Sequence, residues 1–423
     1  MVVSNELTPN LPVGFEKFHR RSFINYQLNR AHGLGFADGA ELHEAASQIK
    51  SFADCVEVFE ALSNEAATDG RYTAATSYLR IAEFFTPQQS GEKRVRYGRY
   101  RALFDRAFAD AGVVRHDVPY GESSIPAYTL AAAGQPIGTV LIHGGFDSLI
   151  EEFFVIWQRF AAAGFDVVGF EGPGQGGARA LNGLLFDHDW EKPVGAVLDH
   201  FDLDDVTLVG LSMGGYWGVR AAGLEPRISR LVIWPPVFDW MARLPRVLRR
   251  GVERLLRLRG FMNASIRVRS RILPVLKHAI DQALYLSGGT EPMDAVDWFL
   301  QMNEQHLGSS RVTQDVLVLV GENDTFQPPK LADLQVAALT SAQSVETRRF
   351  TAAEHADSHC QMGNLDLATS EVVAWLTRNT MEDGVADRSN RRSALPSEHG
   401  AKPEEVPSEG TPIRSQGNGS RGL

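Results

Sequence analysis

Gly210-Leu211-Ser212-Met213-Gly214 is the part of the chain with the clearest chemical meaning. An apolar run, Val206-Thr-Leu-Val-Gly210, enters it, and a helical pattern leaves it. Gly-x-Ser-x-Gly is informative only in that setting, where a sharp strand-to-helix turn exposes the serine hydroxyl. A serine hydroxyl attacks a carbonyl only when a base takes its proton and an acid orients the base. Where a sheet presents serine in this way, both partners come later in the chain. Asp324, just past the apolar run Asp315-Val-Leu-Val-Leu-Val320, is the expected acid, and Glu322 competes with it. His355 and His359 compete to be the base, and their spacing does not choose between them. The developing oxyanion needs backbone N–H donors. Met213 is expected to give one from a helix N-terminus, and Gly145 or Phe146 the other from His143-Gly-Gly-Phe-Asp-Ser148. The His143 side chain is read as a brace for that loop.

The elements that must hold these residues follow from the apolar pattern. Residues 1–112 read as a helical domain, with the three-to-four spacing of helix faces at Val56, Phe59, Leu62 and Ala66 and again at Ala74, Tyr78, Ile81 and Phe85. From 113 to 240 short apolar strands alternate with helices: Thr139–His143, Asp166–Phe170, Val206–Gly210 and Leu231–Trp234. That rhythm predicts an α/β architecture, a mostly parallel sheet covered by helices on both faces. Residues 241–309 are helical in pattern and read as a cap. The sheet resumes over 310–380 with Asp315–Val320 and Thr347–Phe350. From 381 to 423 the chain is polar and reads as a disordered tail. Together these features predict an α/β-hydrolase fold with a helical cap and an N-terminal helical domain.

Composition limits the function. The formal net charge of −10 argues against a nucleic-acid partner. No apolar run reaches the roughly 18 residues of a membrane span. No signal peptide is seen at the start. Two distant cysteines, Cys55 and Cys360, argue against a disulfide framework, so a cytoplasmic setting is expected. Gly172-Pro-Gly-Gln-Gly176 lacks the Gly-Lys-Ser/Thr ending of a phosphate-binding loop. No metal-ligand cluster is evident, and no cofactor is expected.

Several motifs together resemble the FrsA-like branch of the α/β-hydrolases. They are His143-Gly-Gly-Phe-Asp-Ser with Glu151-Glu152, Glu171-Gly-Pro-Gly-Gln-Gly176, the Gly210 to Gly215 turn, and His359-Cys-Gln361. That branch includes dihydroxypseudooxynicotine hydrolase and fungal heptaketide chain-shortening hydrolases. The resemblance spans about residues 20 to 378. It implies that His359, which precedes Cys-Gln, is the base, and that His355 stands where the family more often has glycine. It also implies hydrolysis of a carbon–carbon bond next to a carbonyl, with ester cleavage as the alternative. An acidic cap residue of the nicotine enzyme finds no match here; Asp239 lies in the right region, but its surroundings differ.

The expected activity is therefore a serine hydrolase acting through an acyl-enzyme on an aromatic or polyketide-like ketone, with a carboxylesterase or lactonase as the alternative. The expected partner is a small-molecule carbonyl substrate, and members of the group often pair as homodimers. Trp234, Trp240, Trp298 and Phe299 suit either a substrate cavity or the core. Residues 243–271 hold ten arginines and one acid, Glu253. They read as a solvated cap face, and membrane contact is not expected; a membrane surface or an anionic substrate or carrier is the competing reading. A non-enzymatic helical-repeat scaffold is the less favoured reading, because the paired helices show no clear repeat at a fixed period.

Overall fold

The computed structural model describes residues 11–393. Eight strands form one sheet in the order β1-β2-β4-β3-β5-β6-β7-β8: β1 Val114–Tyr120, β2 Ser123–Leu130, β3 Gly138–His143, β4 Phe165–Phe170, β5 Val206–Leu211, β6 Ile228–Trp234, β7 Asp315–Gly321 and β8 Ser344–Phe350. From β4 across to β8 every pair is parallel. The first two strands pair antiparallel with each other, and β2 pairs antiparallel with β4. The central strands are buried along almost their whole length, so their sequences are continuously apolar rather than alternating.

Strands β1 and β2 went unread in the sequence because each carries a proline, Pro119 and Pro126, and β1 has only one fully buried position. Prolines and a weak apolar pattern mask a strand. Five of the remaining six were visible as apolar runs that end in a glycine- or proline-bearing turn; β8 is exposed or half-buried, with only Phe350 fully buried, and only its end from Thr347 was read.

Five helices precede the sheet: Ser22–Gly33, Gly39–Ser47, Phe52–Thr68, Tyr72–Phe85 and Gly91–Ala107. The third starts at Ser51, whose hydroxyl accepts from the Asp54 N–H while the Asp54 carboxylate accepts from the Ser51 N–H. That reciprocal cap satisfies N–H groups the helix itself leaves open. It ends at Gly70, in the left-handed region at φ 77°.

A buried ionic chain fastens these helices to the sheet. Arg30 meets Glu152 at 2.5 Å and Asp147 at 3.0 Å, and Arg80 meets Glu83 at 2.6 Å. Lys93 closes on Glu83 at 2.7 Å. Buried charges of this kind persist only when paired, and each break leaves an uncompensated ion. Glu152 belongs to the loop after β3, so the N-terminal helices are tied directly to a wall of the site. On one side of the sheet Trp190 stacks on Trp217 at 5.1 Å; on the other, Trp157 packs edge-on against Phe154 at 5.6 Å.

Between β6 and β7 the cap is built from the helices Arg246–Leu256, Arg259–Ile272, Pro274–Ser287 and Pro292–Gln301. The last helix, Leu365–Ser393, continues past the boundary read from composition. The reading of a tail disordered from 381 is corrected to that extent, and its remainder, 394–423, lies outside the described residues. The chain separates into two units after Met381, and the described part of the second, 382–393, is helical. Among the described residues no helix is long and apolar enough to cross a membrane.

Candidate active site

Ser212 leaves the end of β5 at φ 56°, a left-handed conformation that costs a non-glycine residue energy. Its N–H donates to the Trp234 carbonyl at 2.6 Å. A Cβ on Gly210 would lie 2.3 Å from the Gly214 carbonyl oxygen, so glycine is required for this turn to close.

The structure brings Ser212, His359 and Asp324 together. Ser212 Oγ lies 2.9 Å from His359 Nε2, and His359 Nδ1 lies 2.7 Å from Asp324 Oδ2. With Nδ1–H donating to a carboxylate, Nε2 is left as the acceptor facing the hydroxyl. The other carboxylate oxygen, Oδ1, accepts the N–H groups of Phe326 and Gln327, both at 2.8 Å. Burial opposes charge on His359, but the Asp324 carboxylate favours it, and the balance lifts the imidazole well above its ordinary pKa.

The competing residues stand elsewhere. Glu322 is exposed and accepts the Ala352 N–H at 2.8 Å. His355 is exposed and left-handed at φ 55°, which explains why glycine suits that position. The two residues after His359 are also left-handed, and Gln361 Oε1 accepts the Trp234 indole N–H at 2.6 Å. His-Cys-Gln thus fixes the His359 segment against the end of β6. Asp239, left unassigned in sequence, caps the turn Trp240–Arg243 by accepting the Ala242 N–H.

The oxyanion loop corrects one expectation. The Gly145 N–H donates to Ser148 Oγ at 2.6 Å and is not free for a substrate. Gly145 is needed for space instead: a Cβ there would lie 2.8 Å from Ser212 Cβ. Phe146 and Met213 both line the cavity, and neither N–H has an acceptor among the described residues. His143 is fully buried; its Nδ1–H donates to the Gly144 carbonyl at 3.1 Å, and burial lowers its pKa to about 4.

The loop is held from two sides. Gln175 Nε2 donates to the carbonyls of Gly144 and Gly145, each at 3.0 Å, while its Oε1 accepts the Gly172 N–H at 3.1 Å. That is the work of the glutamine in Gly-Pro-Gly-Gln-Gly. From the cap, Gln282 Nε2 donates to the Phe146 carbonyl at 2.8 Å. Gln175→Glu would set a carboxylate against two carbonyl oxygens and disturb the loop. We expect kcat to fall about 10- to 100-fold, up to the cost of losing one oxyanion donor, with KM little changed. Steady-state kinetics on a folded variant check this.

Ser212 opens into a cavity of about 440 Å³. The N-terminal helical region, which the sequence points to as a wall of the substrate cavity, lines it through Phe23, Tyr26, Gln27 and Arg30, a single face of the helix Ser22–Gly33 that the sequence reading did not name. Their spacing of i, i+3, i+4, i+7 was the available signal, obscured because half of that face is polar. The Tyr26 hydroxyl donates to the His359 carbonyl at 3.2 Å. Of the four aromatics weighed, Trp240 and Phe299 line the cavity and stack at 4.5 Å, whereas Trp234 and Trp298 are buried outside its lining. Asp147 also lines it; burial would raise its pKa, but Arg30 and Arg80 hold it low. His278, from the cap, stacks on Phe84 at 4.8 Å, and burial lowers its pKa to about 4.

A mostly parallel sheet, a serine on the turn after its central strand and a helical cap define an α/β-hydrolase. Residues 134–356 match the family described as Serine aminopeptidase, S33, and the chain belongs to it. It is a hydrolase. Among curated relatives, alpha/beta hydrolase psoB of Aspergillus fumigatus is 26% identical, over 85% of this chain and 94% of its own length. A 20-hydroxy-prefusarin hydrolase of Gibberella moniliformis is 30% identical, but over only 51% of this chain and 61% of its own. Among solved structures, 2,6-dihydroxy-pseudo-oxynicotine hydrolase superposes with a TM-score of 0.58 at 20% identity, covering 82% of this chain and 94% of that one. At that identity the likeness concerns the fold.

Proposed function

We propose that the protein hydrolyses the carbon–carbon bond beside a carbonyl in an aromatic or polyketide-like ketone, using Ser212, His359 and Asp324. The observation that supports serine hydrolysis is the unbroken hydrogen-bonded chain from Ser212 Oγ through His359 to Asp324, and the choice of a carbon–carbon bond leans on the cavity it opens into. His359 Nε2 takes the serine proton as Oγ attacks the carbonyl carbon. The N–H groups of Met213 and Phe146 receive the oxyanion. As the tetrahedral adduct collapses, the carbon–carbon bond breaks. Its electron pair leaves with the departing fragment, which takes the proton from His359. Water, deprotonated by His359, then releases the carboxylic acid from Ser212.

A cavity of this volume, walled by Trp240, Phe299 and Phe146, favours a large conjugated substrate, in which conjugation stabilises the departing carbanion. The relative from Gibberella moniliformis, named for 20-hydroxy-prefusarin, supports a specialised organic substrate rather than a peptide. Ester or lactone hydrolysis is the second reading. It is favoured by Asp147, which is held ionised and so has no proton to give a carbon leaving group, whereas an alkoxide needs only the proton on His359. Both cysteines are free and buried, which supports a reducing, cytoplasmic setting.

The test offers the purified protein 1-phenyl-1,3-butanedione and 4-nitrophenyl butyrate, with products separated by mass. We expect the diketone to yield a carboxylic acid and a ketone at the higher kcat/KM. Ester turnover alone would move the assignment to the second reading.

A further inference from the structure

The arginine-rich cap segment holds one residue that behaves unlike the rest. Of its ten arginines, only Arg243 lines the cavity. Arg259 and Arg267 form exposed ion pairs with cap carboxylates. Arg243 is half-buried and has no carboxylate within ion-pair distance among the described residues. Its Nη2 donates to the Phe326 carbonyl and, at 2.9 Å, to Gln327 Oε1. The guanidinium lies 4.3 Å from the centre of the Trp240 ring. Its Nε is buried without an acceptor. The other cation lining the cavity, Arg30, is already neutralised by Asp147 and Glu152.

Only the Asp324 carboxylate, acting from beyond ion-pair distance, offsets the burial of this cation, and a partly buried cation without a direct ion pair is costly and suited to an anion that comes to it. The planar guanidinium fork suits a planar oxyanion better than a point charge does. Phe326 and Gln327, which Arg243 holds, are the residues whose N–H groups bind Asp324, so Arg243 stands beside the triad. We propose that Arg243 is the anion-binding end of the cavity, and that the substrate carries a carboxylate or an ionised 1,3-dicarbonyl near the carbonyl that Ser212 attacks. The proposal rests on the serine-hydrolase reading above. Its rival is a structural one, in which Arg243 only braces the Asp324 turn.

Trp240, stacked on Arg243, gives a binding signal that needs no turnover. Ser212→Ala protein, with and without Arg243→Gln, is titrated with monomethyl glutarate and with methyl pentanoate while tryptophan fluorescence is followed. We expect the anion to bind about tenfold or more tighter than the neutral ester, and Arg243→Gln to erase that difference, as loss of a charged hydrogen bond would. Acetylacetone, titrated on either side of its own ionisation, reports whether an enolate is taken as well as a carboxylate. The turnover arm compares mono-4-nitrophenyl glutarate with 4-nitrophenyl pentanoate. There Arg243→Gln raises KM for the anion alone, and Arg243→Lys restores part of the preference. Equal binding of the two esters, or equal loss on both in the variant, would overturn the proposal. Selective binding without hydrolysis of either chromogenic ester or labelling by a fluorophosphonate would sustain the anion site while removing the serine mechanism.

Discussion

Ser212→Ala abolishes turnover, by about a millionfold in kcat if the triad acts as a unit. The variant also loses labelling by a fluorophosphonate, which wild type takes up in one-to-one ratio. The size of the effect follows from the geometry. Ser212 Oγ is the group that His359 Nε2 faces at 2.9 Å, and among the described residues no other hydroxyl stands within hydrogen-bond distance of that nitrogen. Alanine occupies the same turn without new contacts, so the fold is retained and the loss is chemical. Activity within about a hundredfold of wild type would mean that water, not serine, makes the first attack, and the acyl-enzyme would have to be abandoned.

Asp324→Asn costs about ten-thousandfold in kcat and moves the pH profile. The amide keeps the shape of the carboxylate but not its charge, so Nδ1–H loses its anionic acceptor and the imidazole its orientation. In wild type the carboxylate outweighs burial and holds the His359 pKa well above its ordinary value. The reaction needs the neutral imidazole, so the acidic limb of kcat/KM should lie above pH 6.5, the usual value for histidine. Without the carboxylate, burial loses its main opponent, and the limb should shift to lower pH. Stability follows the same linkage. The contribution of the charged pair is full below the unfolded histidine pKa and fades as pH rises through the raised folded value, so the stability gap between wild type and variant narrows with rising pH. A pH–rate profile and thermal melts at acid and alkaline pH check both signs. An acidic limb that stays in place would show that Asp324 does not govern His359.

The sequence by itself determined the strand that carries the serine, the order of the three triad residues, and the alternation that makes the sheet parallel. Those features are local. Val206–Leu211 is apolar because both its faces are covered, and Gly210 is glycine because Gly214 comes too close for a Cβ. The cap was legible for a similar reason, as a stretch whose helical period interrupts the strands. Local pattern also failed in identifiable places. The two proline-bearing strands at the start of the sheet gave too weak an alternation, and Gly145 offered an amide on paper that Ser148 takes in the fold.

Only the tertiary structure sets Asp324, which the sequence favoured over Glu322, against His359, and His359 against Ser212, because both contacts join residues far apart in the chain. The sequence points to the N-terminal helical region as a cavity wall, but not to the half-polar face of Ser22–Gly33 that forms it. Nor does a run of ten arginines reveal which one turns inward. Side-chain period records which face an element buries, but not what that face meets; the partner is fixed only when distant segments pack and compete for the same hydrogen bonds.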